Sequence, residues 1–464
     1  MSRRPLMILG CTSNAGKSLL ATGLIRWFAR QGVNVAPYKA QNMSNNARVV
    51  DGGEIGVAQW LQALAGGIEP SVDMNPVLLK PEADTRSQVV VTGKARPDLT
   101  VMPWHERGPH LWPEMEAAYR RLDARHELIV IEGAGSPAEI NLEDLVNNRV
   151  LDYADAAALL VADIDRGGAF AHLYGTWALV PATTRARLRG YILNRFRGDA
   201  TLLEPGPSDL TRMTSMPCVG VMPMLDHALP DEEGATIKGE PPGKAPTVAV
   251  VRWPYASNLD EFHLLPWSAW MRWAIRPADL EGADLVILPG SKHLAADARW
   301  LRARGLDRSI ADHARRGMRI LGVCGGAMLL GSTVSDPNGI EGETTGLGLL
   351  PLTTEMSLAK ITTPTTLELK GLPDPWAALN GISASGYEIR NGRISGDGCS
   401  VGQNLWAAGP ILATTVHGLL EDPDVLAALT GHRPSAVLED TFNLLADAVE
   451  THLDGEYLKR LVGL

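Results

Sequence analysis

The chain has 464 residues and a net charge of −10, with 45% hydrophobic and 21% charged residues. This length is too great for one ordinary hydrophobic core, and the composition lets each of two domains bury its own. The acidic balance disfavours a broad nucleic-acid surface, and no apolar run approaches the roughly 20 residues of a membrane span. The spacing of a disulfide framework or a zinc site is missing among the four cysteines, Cys11, Cys218, Cys324 and Cys399, which favours a reducing cytoplasm. We therefore expect a cytoplasmic protein. From its charge and its short apolar runs we expect neither nucleic-acid nor membrane partners.

The first half of the chain alternates short apolar runs with longer amphipathic stretches, a pattern typical of βα units around a buried parallel sheet. Strands are predicted near residues 6–10, 33–38, 127–132, 157–163, 189–194 and 218–222. Residues 233–246 are rich in charge, Gly and Pro, which predicts an exposed linker. We therefore expect the first domain to span residues 1–232.

The strand pattern restarts at Thr247. Further apolar runs lie at 247–253, 284–290, 319–326 and 411–418, and the last three of them end in glycine. The sequence therefore predicts a second α/β domain over residues 247–464. In open α/β sheets ligands gather at the carboxyl ends of strands, where the motifs described below all lie.

A glycine-rich loop follows the first predicted strand and opens a helix. It reads GCTSNAGKS, one residue longer than the common phosphate loop. Backbone N–H groups can cradle phosphates here, Lys17 can reach the outer phosphates, and Ser18 can ligate Mg²⁺. Glu132 ends a neighbouring strand and is a second candidate Mg²⁺ ligand. The predicted ATP-binding residues of the loop are Gly10, Thr12, Ser13, Asn14, Ala15, Gly16, Lys17 and Ser18.

The longer loop resembles that of dethiobiotin synthetase and its relatives, which activate carboxylates with ATP. This resemblance implies a P-loop NTPase-like parallel sheet for the first domain. It also implies that Lys39, at the end of the second strand, is a second phosphate-facing lysine, and that Asn194 recognises the nucleotide base.

The second domain carries a candidate nucleophile. Residues 321–326 read LGVCGG, an apolar strand that turns sharply into a helical stretch. Such a turn exposes the thiol of Cys324 at the positive end of a helix and favours the reactive thiolate. His417, just past a later strand, is the predicted catalytic base.

This pair resembles the Cys and His of class I, or triad-type, glutamine amidotransferases, which implies a flavodoxin-like fold. The resemblance also implies that Gly290, in LPGSK, and Gly325 supply the N–H groups of an oxyanion hole. The common form of that family has a Glu two residues after the His, where this chain has Leu419. The cobalamin branch of the family also lacks that Glu, and Glu421 is a weak candidate substitute.

Several longer motifs resemble cobyric acid synthases over nearly the whole chain. They are GCTSNAGKS, KAQNMSNN at 39–46, DGGEIGVAQ at 51–59, DMNPVLLKP at 73–81, DIDRGGAFA at 163–171 and LNRFRGD at 193–199. The resemblance implies ATP- and Mg²⁺-dependent amidation of the b, d, e and g carboxylates of adenosylcobyrinic acid a,c-diamide through acyl phosphates. Glutamine and the corrinoid would be the small-molecule partners. Lys80, Arg166 and Arg195 are the cations expected to meet the acidic acceptor.

One departure from the family motif and three alternatives remain, the least specific alternative being another ATP-dependent amidotransferase. The family usually reads YEIH where this chain has Arg390 at the fourth position. Cobyrinic acid a,c-diamide synthase shares both domains, although KAQNMSNN favours cobyric acid synthase. A partition-type ATPase switch shares the phosphate loop, but the sequence shows neither a basic surface nor an amphipathic membrane helix at a terminus. The sequence leaves the oligomeric state open, a homo-oligomer included.

Overall fold

Two large β-sheets organise the chain, as the computed structural model shows. The structure describes residues 3–83, 86–141, 144–230, 237, 239–241 and 243–464. Residues 233–236, 238 and 242 of the predicted linker lie outside this described part. The predicted two-domain α/β architecture is confirmed.

The first sheet is parallel, with strand order β6-β5-β4-β1-β3-β2. Most residues of its strands are buried, as expected for apolar runs covered on both faces by helices. All six predicted strands are present. They are Leu6–Gly10 (β1), Val35–Tyr38 (β2), Leu128–Glu132 (β3), Ala157–Asp163 (β4), Leu188–Phe196 (β5) and Cys218–Pro223 (β6).

The second sheet has strand order β8-β7-β9-β10-β13-β12-β11, with β12 and β11 antiparallel to their neighbours. The four strands that the sequence predicted are its buried centre. The three that it missed lie toward the edges, where burial no longer imposes a continuous apolar run. The strands are Thr247–Val251 (β7), Trp270–Ala274 (β8), Leu285–Leu288 (β9), Arg319–Val323 (β10), Ser400–Gly402 (β11), Leu405–Ala408 (β12) and Ile411–Thr414 (β13).

Smaller sheets extend both domains. In the first domain the strands Gln41–Met43, Val77–Ala83, Arg86–Val91 and Lys94–Ala95 form one such sheet, and Ala47–Val50 pairs with Gly53–Gly56. In the second domain Ala256–Ser257 pairs with Gly290–Ser291, and the strands Thr333–Ser335, Thr344–Thr345, Thr353–Glu368 and Ser383–Ser395 form another sheet.

The α-helices cover the faces of the sheets. Among the described residues, no helix combines the length and apolarity that crossing a bilayer requires. Short 3₁₀ helices include Leu259–Phe262 and Leu419–Glu421. The α-helices are Lys17–Arg30 (α1), Val57–Ala65 (α2), Pro97–Val101 (α3), Gly108–Asp123 (α4), Asn148–Tyr153 (α5), Ala169–Leu179 (α6), Ala182–Arg187 (α7), Gly206–Thr214 (α8), Leu294–Arg304 (α9), Leu306–Arg315 (α10), Gly325–Leu330 (α11), Pro423–Thr430 (α12), Leu438–His452 (α13) and Gly455–Val462 (α14).

The last two helices pack against the first domain. Leu445 of α13 and Leu458 of α14 are fully buried in clusters formed with residues of α1, α2 and the first sheet. Gly23 of α1 permits the close approach of α13, because an added Cβ there would lie 3.1 Å from the carbonyl oxygen of Leu445. The sequence prediction gave all of 247–464 to the second domain. In the structure, residues 438–462 complete the core of the first.

Candidate functional site

The phosphate loop lies between β1 and α1, as predicted. Gly16 precedes α1 with φ 95°, a left-handed conformation that favours glycine. An added Cβ on Gly16 would lie 2.0 Å from Nδ2 of Asn194, so the loop tolerates only glycine beside that amide. Nζ of Lys17 lies 3.1 Å from the carbonyl oxygen of Gly135, in the segment that follows β3.

Glu132, at the end of β3, accepts hydrogen bonds from several side chains of this site. Its Oε1 atom accepts hydrogen bonds from Ser18 Oγ at 2.7 Å and from Lys39 Nζ at 2.9 Å. Its Oε2 atom accepts one from Gln62 at 2.6 Å. Burial alone would raise the pKa of Glu132, but the charge of Lys39 and these hydrogen bonds outweigh it and lower the pKa. The group is therefore held as a carboxylate.

The two candidate Mg²⁺ ligands thus lie side by side at the start of α1. Ser18 and Glu132 offer oxygen donors, the kind that Mg²⁺ prefers, so the residues present fit that ion. The described residues contain no group of three His, Cys, Asp or Glu side chains that could hold a metal. A Mg²⁺ ion here would therefore take its remaining ligands from phosphate and water.

Three more predicted residues of the first domain, Asn194, Arg195 and Arg166, lie at or just beyond the carboxyl ends of β4 and β5. Asn194 is buried, and its Nδ2 donates a hydrogen bond to the carbonyl oxygen of Ala15 at 2.9 Å. The contact braces the phosphate loop, while recognition of the base stays a prediction. Arg195 and Arg166 both pair with Asp163, at 2.9 and 3.4 Å. The structure brings these two predicted acceptor cations together.

Cys324 occupies a strained turn between β10 and α11. Its backbone has φ 49° and ψ −104°, a conformation that costs a non-glycine residue roughly 1–3 kcal/mol. Gly326 makes the turn possible, because an added Cβ there would lie 2.0 Å from the carbonyl oxygen of Leu288. The turn places the thiol at the N-terminus of α11, as the sequence predicted, and Sγ lies 3.8 Å from the carbonyl oxygen of Ile389.

His417 lies within hydrogen-bonding reach of Cys324, and a third residue orients it. Nδ1 of His417 is 3.0 Å from Oε1 of Glu261, whose Oε2 accepts the backbone N–H of Gly418 at 3.0 Å. Burial alone would lower the pKa of His417, but the charges of Glu261 and Cys324 and their hydrogen bonds raise it to about 10. The imidazole is therefore held by a carboxylate on one side and faces the thiol on the other.

Glu261 was not identified from the sequence. It lies in the 3₁₀ helix Leu259–Phe262, far upstream of His417, and no local motif marks it. The sequence instead named Glu421 as a weak substitute, and this expectation was wrong. The carboxylate of Glu421 pairs with Arg48 of the first domain, while that of Glu261 binds the imidazole.

The predicted oxyanion-hole residues flank this pair. An added Cβ on Gly290 would lie 3.0 Å from Cε1 of His417, so the loop passes directly over the imidazole. An added Cβ on Gly325 would lie 2.7 Å from the backbone nitrogen of Ser291, next to Gly290 in the chain. The two loops therefore meet beside Cys324, and the role of their N–H groups stays a prediction.

Both domains line the pocket that Cys324 opens into. Lys80 contributes from the first domain, and Lys292, Glu341 and Lys360 from the second. Lys80 is fully buried and its Nζ lies 2.7 Å from Oε2 of Glu54. Burial lowers the pKa of Lys80 to about 7, although the charge of Glu54 opposes the shift. The structure thus places this predicted acceptor cation in the wall of the pocket that Cys324 also lines, apart from Arg166 and Arg195.

Comparisons with known proteins found family matches for both domains. Residues 6–236 match the CobQ/CobB/MinD/ParA nucleotide binding domain, and residues 247–424 match the CobB/CobQ-like glutamine amidotransferase domain. Three cobyric acid synthases, from Variovorax paradoxus, Methylibium petroleiphilum and Paracidovorax citrulli, are 50%, 49% and 50% identical to the chain. The alignments cover 100%, 99% and 98% of this chain and 100%, 97% and 98% of those proteins. The chain belongs to the cobyric acid synthase family.

Membership in the cobyric acid synthase family confirms the predicted family and reaction class. The chain is a glutamine-hydrolysing amidotransferase that also carries a nucleotide-binding domain. The family is one of enzymes, so the partition-type ATPase switch is set aside.

Arg390, the predicted departure from the family motif, also lies in the wall of the Cys324 pocket. Its Nε donates to Oε2 of Glu388 at 2.6 Å. Glu388 also accepts hydrogen bonds from Asn404 at 2.8 Å and from Thr415 at 3.0 Å. The arginine is therefore tied to a buried carboxylate near the strand that leads to His417.

Proposed function

We propose that this enzyme converts carboxylates of a corrinoid to amides, with glutamine as the nitrogen donor and ATP as the activating nucleotide. The observation that carries the proposal is the presence, in one chain, of an oriented Cys324–His417–Glu261 set and a Glu132-centred phosphate site. The first releases ammonia from glutamine, and the second activates an acid to receive it. The corrinoid is inferred from the names of the full-length relatives, which are cobyric acid synthases.

The glutamine half-reaction begins at Cys324. His417 holds the proton of the thiol while Sγ attacks the amide carbon of glutamine and forms a tetrahedral intermediate. Backbone N–H groups of Gly290 and Gly325 are proposed to stabilise its oxyanion. The imidazolium then gives its proton to the departing ammonia, and water hydrolyses the resulting thioester. Glu261 fixes the ring so that the nitrogen opposite Nδ1 faces the thiol.

The activating half-reaction takes place at the phosphate loop. The N–H groups of the loop and the N-terminus of α1 bind the phosphates, and Lys17 places its charge on the phosphoryl group that is transferred. Lys39 adds a second positive charge. Mg²⁺ held by Ser18 and Glu132 would neutralise charge on the phosphates. An acceptor carboxylate attacks the γ-phosphorus of ATP and expels ADP to form an acyl phosphate. Ammonia then displaces phosphate, with loss of a proton, to give the amide.

Arg166 and Arg195 are proposed to bind the acidic acceptor, because they lie together at the carboxyl ends of β4 and β5. Arg166 is exposed, and Arg195 is partly exposed. Their shared partner Asp163 keeps them in place without burying their charge. Lys80 is the less favourable candidate, since it is buried against Glu54.

The proposal is tested by incubating the protein with ATP, Mg²⁺, glutamine and either cobyrinic acid or its adenosylated a,c-diamide. Mass spectrometry of the products should show four successive acid-to-amide conversions of the a,c-diamide, at the b, d, e and g positions. Conversion of cobyrinic acid only as far as the a,c-diamide would instead identify the sister enzyme. No conversion of either corrinoid would contradict the proposal.

A further inference from the structure

Arg48 lies in the first domain but contacts the glutaminase site of the second. It belongs to the strand Ala47–Val50, and its side chain is almost fully buried. Its guanidinium pairs with Asp260 at 2.5 Å and also pairs with Glu421. A further N–H group donates to the hydroxyl of Tyr387. One cation of the nucleotide-binding domain thus binds three side chains around His417.

The residues next to Arg48 bind the segment that carries Glu261. Asn46 Oδ1 accepts the backbone N–H of Leu259 at 3.0 Å. The side chain of Asn258 donates to the carbonyl oxygen of Ala47 at 2.8 Å. The first residues of the 3₁₀ helix that carries Glu261 are therefore held by hydrogen bonds that they donate to the first domain.

Tyr387 supports His417 from the other side. The two rings are stacked, with centroids 5.4 Å apart and an interplanar angle of 19°. The backbones of the two residues also exchange hydrogen bonds, at 2.9 and 3.1 Å. Arg48 of the first domain donates to the Tyr387 hydroxyl, and so does Asn258, which also binds the carbonyl oxygen of Ala47, so the position of the stacked ring depends on the first domain.

Charge explains why a cation is required at this position. Asp260, Glu261 and Glu421 are three carboxylates close to one another at the domain interface. Burial raises the pKa of Asp260 to about 6, although the charge of Arg48 opposes the shift. Removal of one partner from a buried ionic cluster leaves uncompensated charge, which the surrounding segments relieve by moving or by taking up protons.

We propose that Arg48 is a positioning residue of the glutaminase, so that the Cys324–His417 pair is correctly arranged only when the first domain is docked. The inference rests on the proposed glutamine half-reaction. Arg48 acts on the orientation of the imidazole through Tyr387 and through Asp260, the chain neighbour of Glu261, and it is not among the residues that line the pocket of Cys324. Since Lys39 lies nine residues earlier and binds Glu132, one short segment links the phosphate site to the glutaminase.

The test compares Arg48→Ala and Arg48→Lys with the wild-type full-length protein. We expect kcat for glutamine hydrolysis to fall by roughly 10- to 100-fold in Arg48→Ala, because small displacements of catalytic groups have effects of that size. KM for glutamine should change little, and ammonia-dependent synthesis should persist. Arg48→Lys should recover part of kcat, since it restores the charge without the full set of contacts.

Two further variants make the test decisive. Arg26→Ala removes an arginine that also joins the two ends of the chain, through Glu439 and Asn443, and should leave kcat unchanged. Tyr387→Phe keeps the stacked ring but removes the hydroxyl that Arg48 binds. It should lower kcat less than Arg48→Ala does. If Arg48→Ala is insoluble, the kcat of Tyr387→Phe for glutamine hydrolysis tests the proposal instead.

The proposal is overturned if Arg48→Ala and Tyr387→Phe hydrolyse glutamine at the wild-type rate. It is also overturned if Arg48→Ala loses ammonia-dependent synthesis to the same extent as glutamine hydrolysis, because Arg48 would then support the fold as a whole. A wild-type protein that does not hydrolyse glutamine would instead contradict the proposed function, so the two failures are distinguishable.

Discussion

Nδ1 of His417 lies 3.0 Å from Oε1 of Glu261, although 156 residues separate the two in the chain. In triad hydrolases a carboxylate at this distance selects the tautomer of the imidazole and stabilises the imidazolium. The position two residues after His417, where the common class I enzymes carry their Glu, holds Leu419 here. The same geometric role is thus filled from a different segment of the fold.

Replacement of Glu261 by Gln should leave the protein folded but lower kcat for glutamine hydrolysis by roughly 10²- to 10⁴-fold, since the amide can no longer stabilise the imidazolium. Ammonia-dependent synthesis should be retained, because it bypasses the thioester. Glu368→Gln, at an exposed position of the same domain, is a matched control. Hydrolysis at the wild-type rate in Glu261→Gln would contradict the role of Glu261 as the carboxylate that orients His417.

The sequence predicted those parts of the fold and site that are local in the chain. Buried parallel strands require continuous apolar runs, so the central strands of both sheets were found. The phosphate loop and the Cys324 turn each occupy one short motif. Glu261 and Arg48 act through contacts between segments that are distant in the chain, and no local sequence motif predicts such contacts. The packing of α13 on α1 was missed for the same reason, because an amphipathic helix does not specify which domain covers its apolar face.

Two variants should separate the half-reactions. Cys324→Ser should lose glutamine-dependent synthesis but keep ammonia-dependent synthesis, most visibly at alkaline pH where free NH₃ is abundant. Lys17→Ala should lose both, because the proposed formation of an acyl phosphate would need the charge of Lys17 on the transferred phosphoryl group. Lys94→Ala, at an exposed lysine of the same domain, serves as a control. If Cys324→Ser lost both activities while remaining folded, the separation of the two sites would be wrong.

Asp297 should make stability depend on pH. The side chain is fully buried and accepts hydrogen bonds from Ser291 Oγ at 2.6 Å and from the backbone of Tyr255 at 3.1 Å. Burial raises its pKa to about 7, despite those hydrogen bonds. The folded state therefore binds this proton more tightly than the unfolded state, whose carboxyl titrates near pH 3.9.

It follows that the wild-type protein should lose stability relative to Asp297→Asn as the pH rises from about 4 to about 7, by up to about 4 kcal/mol. Urea unfolding of both proteins across this range measures the difference. A difference that does not change with pH, or that changes in the opposite direction, would contradict burial of an ionisable Asp297.

The packing of α13 on the first domain is tested by two neighbouring leucines. Leu445 is fully buried in the cluster that joins α13 to α2, whereas the side chain of Leu444 is 39% exposed. Leu445→Ala should lower the free energy of unfolding by about 2–5 kcal/mol, the usual loss for a buried leucine. Leu444→Ala should change it by less than about 0.5 kcal/mol. Equal effects in denaturant titrations would contradict this packing.

Transfer of nitrogen from glutamine at Cys324 to a carboxylate activated at the phosphate loop is the step that defines the proposed function. The most direct measurement supplies glutamine labelled with ¹⁵N in its side-chain amide, together with unlabelled ammonium, ATP, Mg²⁺ and the corrinoid a,c-diamide. We predict that the amides formed carry ¹⁵N, each heavier than its unlabelled counterpart by the mass difference between the two nitrogen isotopes. Cys324→Ser should incorporate only unlabelled nitrogen. Amides without label in the wild-type product, or labelled amides in the product of Cys324→Ser, would contradict this transfer.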